Sequence, residues 1–236
     1  MKKNFDYLED ETLQKLAKYG MLSLFIKNQI LDREMKKISL SEIERTEARN
    51  IYKKSNKLES DEDFEHHKQI RFYTDESIRY NIELPFKQYK FCQEMFGESL
   101  YTNYLKYKSF FDIVTYSIIR VDSESKSKEI YLQLKDDKRV FSELVNKYSQ
   151  GPERKSQGII GPVRLNQGHP LLQKQIIQNK DLCFSQPFKI DSKWIIIKVE
   201  NFIESKLDDF VEKEIYKIEL ENYLKEEIKK YLLKLI

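Results

Sequence analysis

The sequence has few of the residues that interrupt regular secondary structure, since its 236 residues include only six glycines and five prolines. Three of these glycines and two of these prolines fall in one stretch, YSQGPERKSQGIIGPV, at residues 148–163. Glycine and proline mark turns and end helices. We therefore expect long regular elements over most of the chain and a structured loop at this stretch.

Cysteine is also scarce, and this bears on disulfides and metal sites. The two cysteines, Cys92 and Cys183, are far apart and lack CxxC spacing. They are interpreted as small buried hydrophobic residues in a reducing compartment, although a disulfide stays possible. The adjacent His66 and His67 diverge by about 100° on a predicted helix, so they do not readily share one metal. We expect no metal and no cofactor.

Long apolar runs are absent from the sequence. The most apolar stretch, Trp194 to Val199, contains Lys198 and is much shorter than the ~20 residues that cross a bilayer. We expect no stable membrane insertion. The first residues, MKKNFDYLED, reach acidic residues before any apolar run forms, so no secretory signal is expected. The sequence therefore predicts a cytoplasmic protein.

Charge of one sign is not concentrated anywhere in the chain. Lys and Arg number 42 and Asp and Glu number 39, and the two signs alternate along the predicted helices. Proteins that bind nucleic acids usually gather positive charge on one face. We therefore expect no nucleic-acid partner.

The first half, from residue 5 to about 108, has apolar residues at helical spacing and should be all helical. A first helix, or a pair of helices, is broken near Gly20. Ser41 and Glu44 form a capping box at the start of another helix, and Ser60 is the expected N-cap of the next.

One more helix start precedes an aromatic stretch. The sequence Tyr73-Thr74-Asp75-Glu76 begins a helix that Pro85 should end or restart. The following residues, about 86 to 108, are predicted to form one helix rich in aromatic side chains. At helical spacing these side chains are most simply core, and the alternative is a groove that binds polypeptide.

The second half alternates strands and helices. Strands are expected at 110–121 and 193–202, both rich in β-branched and apolar residues. One or two helices lie between residue 123 and Ser149, a short helix covers 169–179, and a long helix ends the chain. The predicted class is α+β, with domains at 1–108 and 109–203 and a C-terminal helix at 204–236.

Several short motifs in this order resemble the parvulin family of peptidyl-prolyl cis-trans isomerases, the PpiC or rotamase type. The motifs, in chain order, are Ser117-Ile-Ile119, Phe141-Ser-Glu-Leu144 with Tyr148-Ser149, Gly158-Ile-Ile-Gly161, Pro170-Leu-Leu172 and Trp194-Ile-Ile-Ile-Lys-Val199. Together with the flanking helices, the sequence resembles SurA-like chaperones, particularly small cyanobacterial members. The resemblance implies a small antiparallel sheet with surrounding helices, a helical N-terminal domain and a long C-terminal helix packing back on it.

The resemblance also implies a site that isomerises X-Pro bonds in an unfolded or proline-containing polypeptide. Its substrate-binding residues would be Ile160, Leu172 and Ile177, with Gly168 where the family often has methionine. The family's polar residues, two histidines and a Cys or Asp, match Ser117, Ile195 and Ile159. All three polar side chains are therefore missing at these positions.

Simpler structural roles stay open for the same residues. Gly158 and Gly161 could serve only to adopt positive φ angles, Ser149 to end a helix, and His169 to cap one. Two functions are left open: an isomerase, possible despite the missing histidines, and a catalytically inactive chaperone that uses the parvulin fold to bind polypeptide. A structural scaffold ranks below both.

Overall fold

The computed structural model describes residues 10–136, 140–181 and 184–233, which leaves Cys183 outside the described residues. The first half of the chain is helical, as predicted. Its helices are α1 (Asp10–Lys18), α2 (Leu22–Met35), α3 (Glu42–Ser55), α4 (Asp61–Ile70), α5 (Asp75–Phe96) and α6 (Leu100–Tyr107).

The helix starts lie where the capping signals predict them. The Ser41 side chain accepts a hydrogen bond from the Glu44 backbone N–H, and the Glu44 carboxylate accepts one from the Ser41 backbone. Ser60 and Thr74 form equivalent capping boxes at α4 and α5. Gly20, with a φ of 69°, separates α1 from α2. The prediction of a helix pair is confirmed.

Two predictions about α5 are wrong. The helix continues through Pro85 and ends at Phe96, and a 3₁₀ turn at Gly97–Ser99 separates it from α6. Proline removes one backbone hydrogen bond from a helix. Buried side chains on both sides of the proline, among them Ile78 and Phe91, hold the helix in place, so the loss of one bond does not end it.

The second half contains the sheet. Its elements are β1 (Ile113–Val121), α7 (Glu124–Asp136), α8 (Phe141–Tyr148), β2 (Ile159–Arg164), α9 (Pro170–Gln178), β3 (Phe188–Ile190), β4 (Lys193–Ile203) and α10 (Asp209–Leu233). The strands lie in the order β2-β1-β4-β3 and all neighbours are antiparallel. The α+β class and the small antiparallel sheet are confirmed.

The described chain divides into two compact units. The helical unit contains Met1–Tyr101 and Glu212–Ile236, and the sheet unit contains Thr102–Val211. The domain boundaries predicted after residues 108 and 203 stay predictions.

The long helix α10 belongs to the core of the helical unit, so its predicted return to the N-terminal helices is confirmed. Its buried Tyr216, Leu220 and Leu224 share one apolar cluster with residues of α2 and α5. The buried members from the earlier helices include Ile26, Ile30, Met35, Phe91 and Cys92. Burial of such side chains stabilises each by about 1.5–3 kcal/mol.

Candidate functional site

The two faces of the sheet carry different side chains and different helices. On one face, α9 packs against Ile118 of β1 and Ile195 of β4, in a cluster that we call the α9 face. The opposite face packs against α7 and α8 through Ile119 of β1 and Ile196 of β4. Successive residues of a strand point to opposite faces, so each face takes every second residue.

Three of the predicted site residues lie together on the α9 face. Leu172 and Ile195 are buried in its cluster, and Ile160 of β2 is half-buried against them. Gly168 is adjacent, because a β-carbon built on it would lie 3.5 Å from Leu172 Cδ2. The structure therefore brings Ile160, Leu172, Ile195 and Gly168 into one neighbourhood. Their role in binding substrate stays a prediction.

Ser117 and Ile159 lie on the other side of the sheet. They are opposite each other on β1 and β2, and Ser117 precedes Ile119 of the α7 and α8 face by two residues. The Ser117 hydroxyl donates a 2.7 Å hydrogen bond to the Glu200 carboxylate, which also accepts one from Lys198. The structure therefore places Ser117 and Ile195 on opposite faces of the sheet, and the match of both to the family's polar residues stays a prediction.

The β1 residues that share a face with Ile195 are Val114, Tyr116 and Ile118. Ile118 is fully buried in the same cluster and lies opposite Ile197 of β4. Tyr116 is the one of these three that carries a polar group. Ile159 is 47% exposed and supplies only hydrocarbon.

Ile177 is also outside the α9 cluster. Its side chain is 50% exposed, whereas the neighbouring Ile176 is buried and packs in the cluster. Successive side chains of a helix point in directions about 100° apart, so only one of Ile176 and Ile177 can face the sheet. The structure does not bring Ile177 together with Leu172 and Ile160.

Two glycines, Gly158 just before β2 and Gly161 within it, have conformations that other residues avoid. Gly158 has a φ of 88° and Gly161 a φ of 120°. A β-carbon on Gly161 would lie 2.5 Å from the Val114 carbonyl oxygen, and one on Gly158 would lie 2.7 Å from Val145. The positive-φ interpretation of both glycines is confirmed.

A buried polar network borders the α9 face at the end of β1. The Ser149 hydroxyl accepts a hydrogen bond from the Arg120 backbone N–H at 3.0 Å and donates one to Glu153 Oε1 at 2.8 Å. The Arg120 Nε atom lies 3.7 Å from the same carboxylate oxygen. Arg120 is opposite Ile195 on β4, so this network lies directly beside the predicted site.

Sequence reasoning found only Ser149 of this network, as a residue at a helix end, and this role is confirmed. Glu153 is 5% exposed although it lies in a loop sequence rich in charges. Burial raises the pKa of Tyr116, the next polar residue on this face; Arg120 opposes that shift and Glu153 adds to it. No spacing or motif distinguishes Glu153 from the exposed acids of this chain.

His169 caps α9, as its simpler interpretation predicts. Its Nδ1 atom accepts a hydrogen bond from the Leu171 backbone N–H at 3.2 Å, and Pro170 is the first residue of the helix. The Gln173 side chain donates a 2.7 Å hydrogen bond to the Gly168 carbonyl. These contacts fix the loop that carries Gly168 next to Leu172.

The described residues contain no group of three His, Cys, Asp or Glu side chains that could hold a metal ion. Within the same part of the chain, no helix combines the length and the apolar composition needed to cross a membrane. The α9 face is built mainly of buried hydrocarbon side chains, together with the ring of Tyr116.

The sheet unit defines the class of this protein. Residues 119–201 match the family described as Rotamase, PPIC-type PPIASE domain. This segment covers less than half of the chain and contains β2, β3, β4 and the helices between them. The chain therefore carries a parvulin-type domain, and the resemblance found in its motifs is confirmed.

Several solved structures are similar to this chain over most of its length. PrsA, a peptidylprolyl isomerase from Bacillus cereus, is 15% identical with a TM-score of 0.53, over 96% of this chain and 87% of that one. PrsA from Bacillus anthracis is 19% identical with a TM-score of 0.43, over 90% and 97% of the two chains. No curated protein matches this sequence.

A third solved structure comes from a study of two SurA-like chaperones, PEB4 and the periplasmic protein Cj1289, of Campylobacter jejuni. It is 19% identical with a TM-score of 0.37, over 97% of this chain and 92% of that one. The fold of this chain is thus that of the Bacillus cereus protein.

Proposed function

We propose that this protein binds extended polypeptide and catalyses cis-trans isomerisation of X-Pro bonds through its parvulin-type domain. The observation that carries the proposal is the match of residues 119–201 to the PPIC-type family, on a sheet that gathers Ile160, Leu172 and Ile195 on one face. The proposed substrate is an unfolded or proline-containing client.

Isomerisation needs no nucleophile. The barrier of about 18–20 kcal/mol arises because the C–N bond has partial double-bond character. The planar amide is more polar than the twisted one, and burial of a polar group without partners costs free energy. A hydrocarbon surface around the proline therefore stabilises the twisted state relative to the planar one. Each 1.36 kcal/mol by which it lowers the barrier raises the rate about tenfold.

The second candidate function is a chaperone that binds the client without isomerising it. It is favoured by Ser117 and Ile195, because the resemblance places the family's two histidines at these positions. If those histidines contribute to catalysis in the family, this domain retains only the surface that binds the proline.

NMR exchange spectroscopy on a short peptide with one X-Pro bond distinguishes these functions, since it measures exchange between isomers at equilibrium. Acceleration by the full-length protein is expected. Ile160→Gln should abolish most of it, because a polar side chain then meets the proline ring. The matched control is Leu132→Gln, which changes an exposed leucine of α7 and should leave the rate unchanged.

Peptide binding without acceleration, read from shifts of the peptide resonances, would establish the chaperone function instead. Suppressed aggregation of a chemically unfolded client by the full-length protein would support it further. If the peptide neither binds nor isomerises, both functions are excluded for this type of substrate.

We also propose that the protein acts in the cytoplasm. The support is compositional: the chain has two widely spaced cysteines without CxxC spacing, as is usual in a reducing compartment. Detection of the native protein in membrane-free cytoplasmic extract tests this, and its recovery from a periplasmic or secreted fraction would contradict it.

A further inference from the structure

A cleft of about 780 Å³ lies in the helical unit between α3, α4 and α5. Arginine and lysine side chains from all three helices line it. They are Arg45, Arg49, Lys68, Arg79 and Lys87. The floor includes Ile78 and Ile82, so the cleft combines an apolar base with positive charge at its walls.

The acidic side chains of the cleft are already paired. Lys68 contacts Glu65 at 3.1 Å and Asp75 at 2.6 Å. Glu83 is contacted by Lys87 at 3.0 Å and by Arg45 at 3.6 Å. These pairs neutralise all three carboxylates that line the cleft.

Two guanidinium groups are left over. Arg49 and Arg79 are exposed, and neither has a carboxylate oxygen within 4 Å among the described residues, although Asp61 lies near Arg49 and Asp75 near Arg79. Arg49 lies over the Phe64 ring, 4.9 Å from its centre, which orients the group without neutralising it. The five cations and three carboxylates that line the cleft therefore leave an excess of two positive charges, and the Phe64 ring orients Arg49.

The spacing along α5 limits what can bind. Asp75, Arg79, Glu83 and Lys87 follow each other at intervals of four residues, so they form a row about 18 Å long on one side of the helix. An extended polypeptide of about five residues spans this length. The row alternates in sign, so a ligand with negative charge at every position would also meet Asp75 and Glu83.

We propose that this cleft binds a short acidic segment of a polypeptide, in which carboxylates alternate with aliphatic side chains. The carboxylates would pair with Arg49 and Arg79, and the aliphatic side chains would cover Ile78 and Ile82. Single-stranded nucleic acid fits less well because each nucleotide carries a phosphate. The proposal is independent of isomerase activity, since the cleft and the α9 face belong to different units.

Fluorescence anisotropy with a labelled pentapeptide that alternates glutamate and leucine tests the proposal. The full-length protein should bind it at least about tenfold more tightly than the same peptide with glutamine, because charge-assisted hydrogen bonds are the stronger ones. Affinity should fall as salt rises, since the arginines are exposed. Equal affinity for both peptides would overturn the proposal, and this comparison needs no variant.

A charge-matched pair of variants locates the site. Arg49→Gln with Arg79→Gln should lower the affinity about tenfold or more. The control, Lys54→Gln with Lys225→Gln, removes the same charge from exposed positions of the helical unit outside the cleft and should change it less than about twofold. Equal losses in both pairs, or tighter binding of a five-nucleotide single-stranded DNA, would overturn the assignment. Circular dichroism checks that both double variants are folded. If a double variant is unfolded, binding is measured with its two single variants instead.

Discussion

At the scale of single residues, the backbone at the start of β2 depends on two glycines, Gly158 and Gly161, that no other residue can replace without strain. Gly161→Ala should destabilise the protein by about 2 kcal/mol or more, because the φ of 120° is unfavourable and the new methyl group meets the Val114 carbonyl. Urea unfolding measures this. Gly168→Ala is the control: its φ is −82° and the site has room, so we expect a change within about 0.5 kcal/mol.

Cys92 is a second residue whose environment determines its chemistry. Burial raises the pKa of its thiol to about 12, and reactivity follows the thiolate. In a Cys183→Ser background, the folded protein should therefore not react with a thiol reagent at pH 8, and unfolding in urea should expose one reactive thiol. Rapid labelling of the native protein would contradict the buried position of Cys92.

The residue scale also shows what the sequence could predict about the site. Pro170, Leu172 and Gly161 could be placed from short motifs, because each motif fixes local backbone geometry. Ser117 lies on the face opposite to Ile195, which the sequence could not predict, because a shift of one residue in a strand exchanges its two faces and the sequence does not fix the register. The role of Glu153 could not be predicted from the sequence, because its burial depends on its contacts with Ser149 and Arg120.

At the scale of elements, α3 and α4 are joined through a buried histidine. His67 of α4 lies 2.9 Å from the Tyr52 hydroxyl of α3, and the two rings meet edge to face. Burial lowers the pKa of His67, and the nearby Arg71 lowers it further. Tyr73 is the remaining aromatic neighbour of the ring. Burial and Arg71 therefore favour the neutral form of His67 in the folded protein.

This contact predicts a pH dependence of stability. Below its ordinary pKa of about 6.5, His67 takes up a proton in the unfolded chain before it does so in the folded one. The free energy of unfolding should therefore fall as the pH is lowered from about 7 to about 5. His67→Gln should reduce this slope, because the other titrating groups are unchanged. Urea unfolding of both proteins across this range provides the measurement, and identical slopes would contradict the prediction.

Helices and strands could be predicted from the sequence where residues close together in the chain determine them. The starts of α3, α4 and α5 follow from Ser41, Ser60 and Thr74, which bind backbone groups a few residues away. The strands β2 and β3 were not predicted, because one contains Gly161 and Pro162 and the other has three residues. Both strands form because β2 pairs with β1 and β3 pairs with β4. This pairing joins residues that are far apart in the sequence, so no short sequence pattern predicts it.

At the scale of the whole molecule, the two units have separate apolar cores. Leu224 of α10 is fully buried in the helical unit, so Leu224→Ala should cost about 3 kcal/mol. Hydrogen exchange should then accelerate in α2 and α5, whereas β1 and β4 should keep their protection. Lys225→Ala, one residue further and exposed, should change neither. Equal loss of protection in both units would show that they unfold together.

The return of α10 to the first helices also has a consequence for synthesis of the chain. Phe91 leaves the ribosome long before Leu220, which completes its core, and the whole sheet unit is made in between. At about 5–20 residues per second, this interval is on the order of ten seconds. During that time the nascent helices expose their apolar sides to solvent. For this interval, the nascent chain of a protein proposed to bind unfolded polypeptides thus exposes the same kind of apolar surface that such proteins bind.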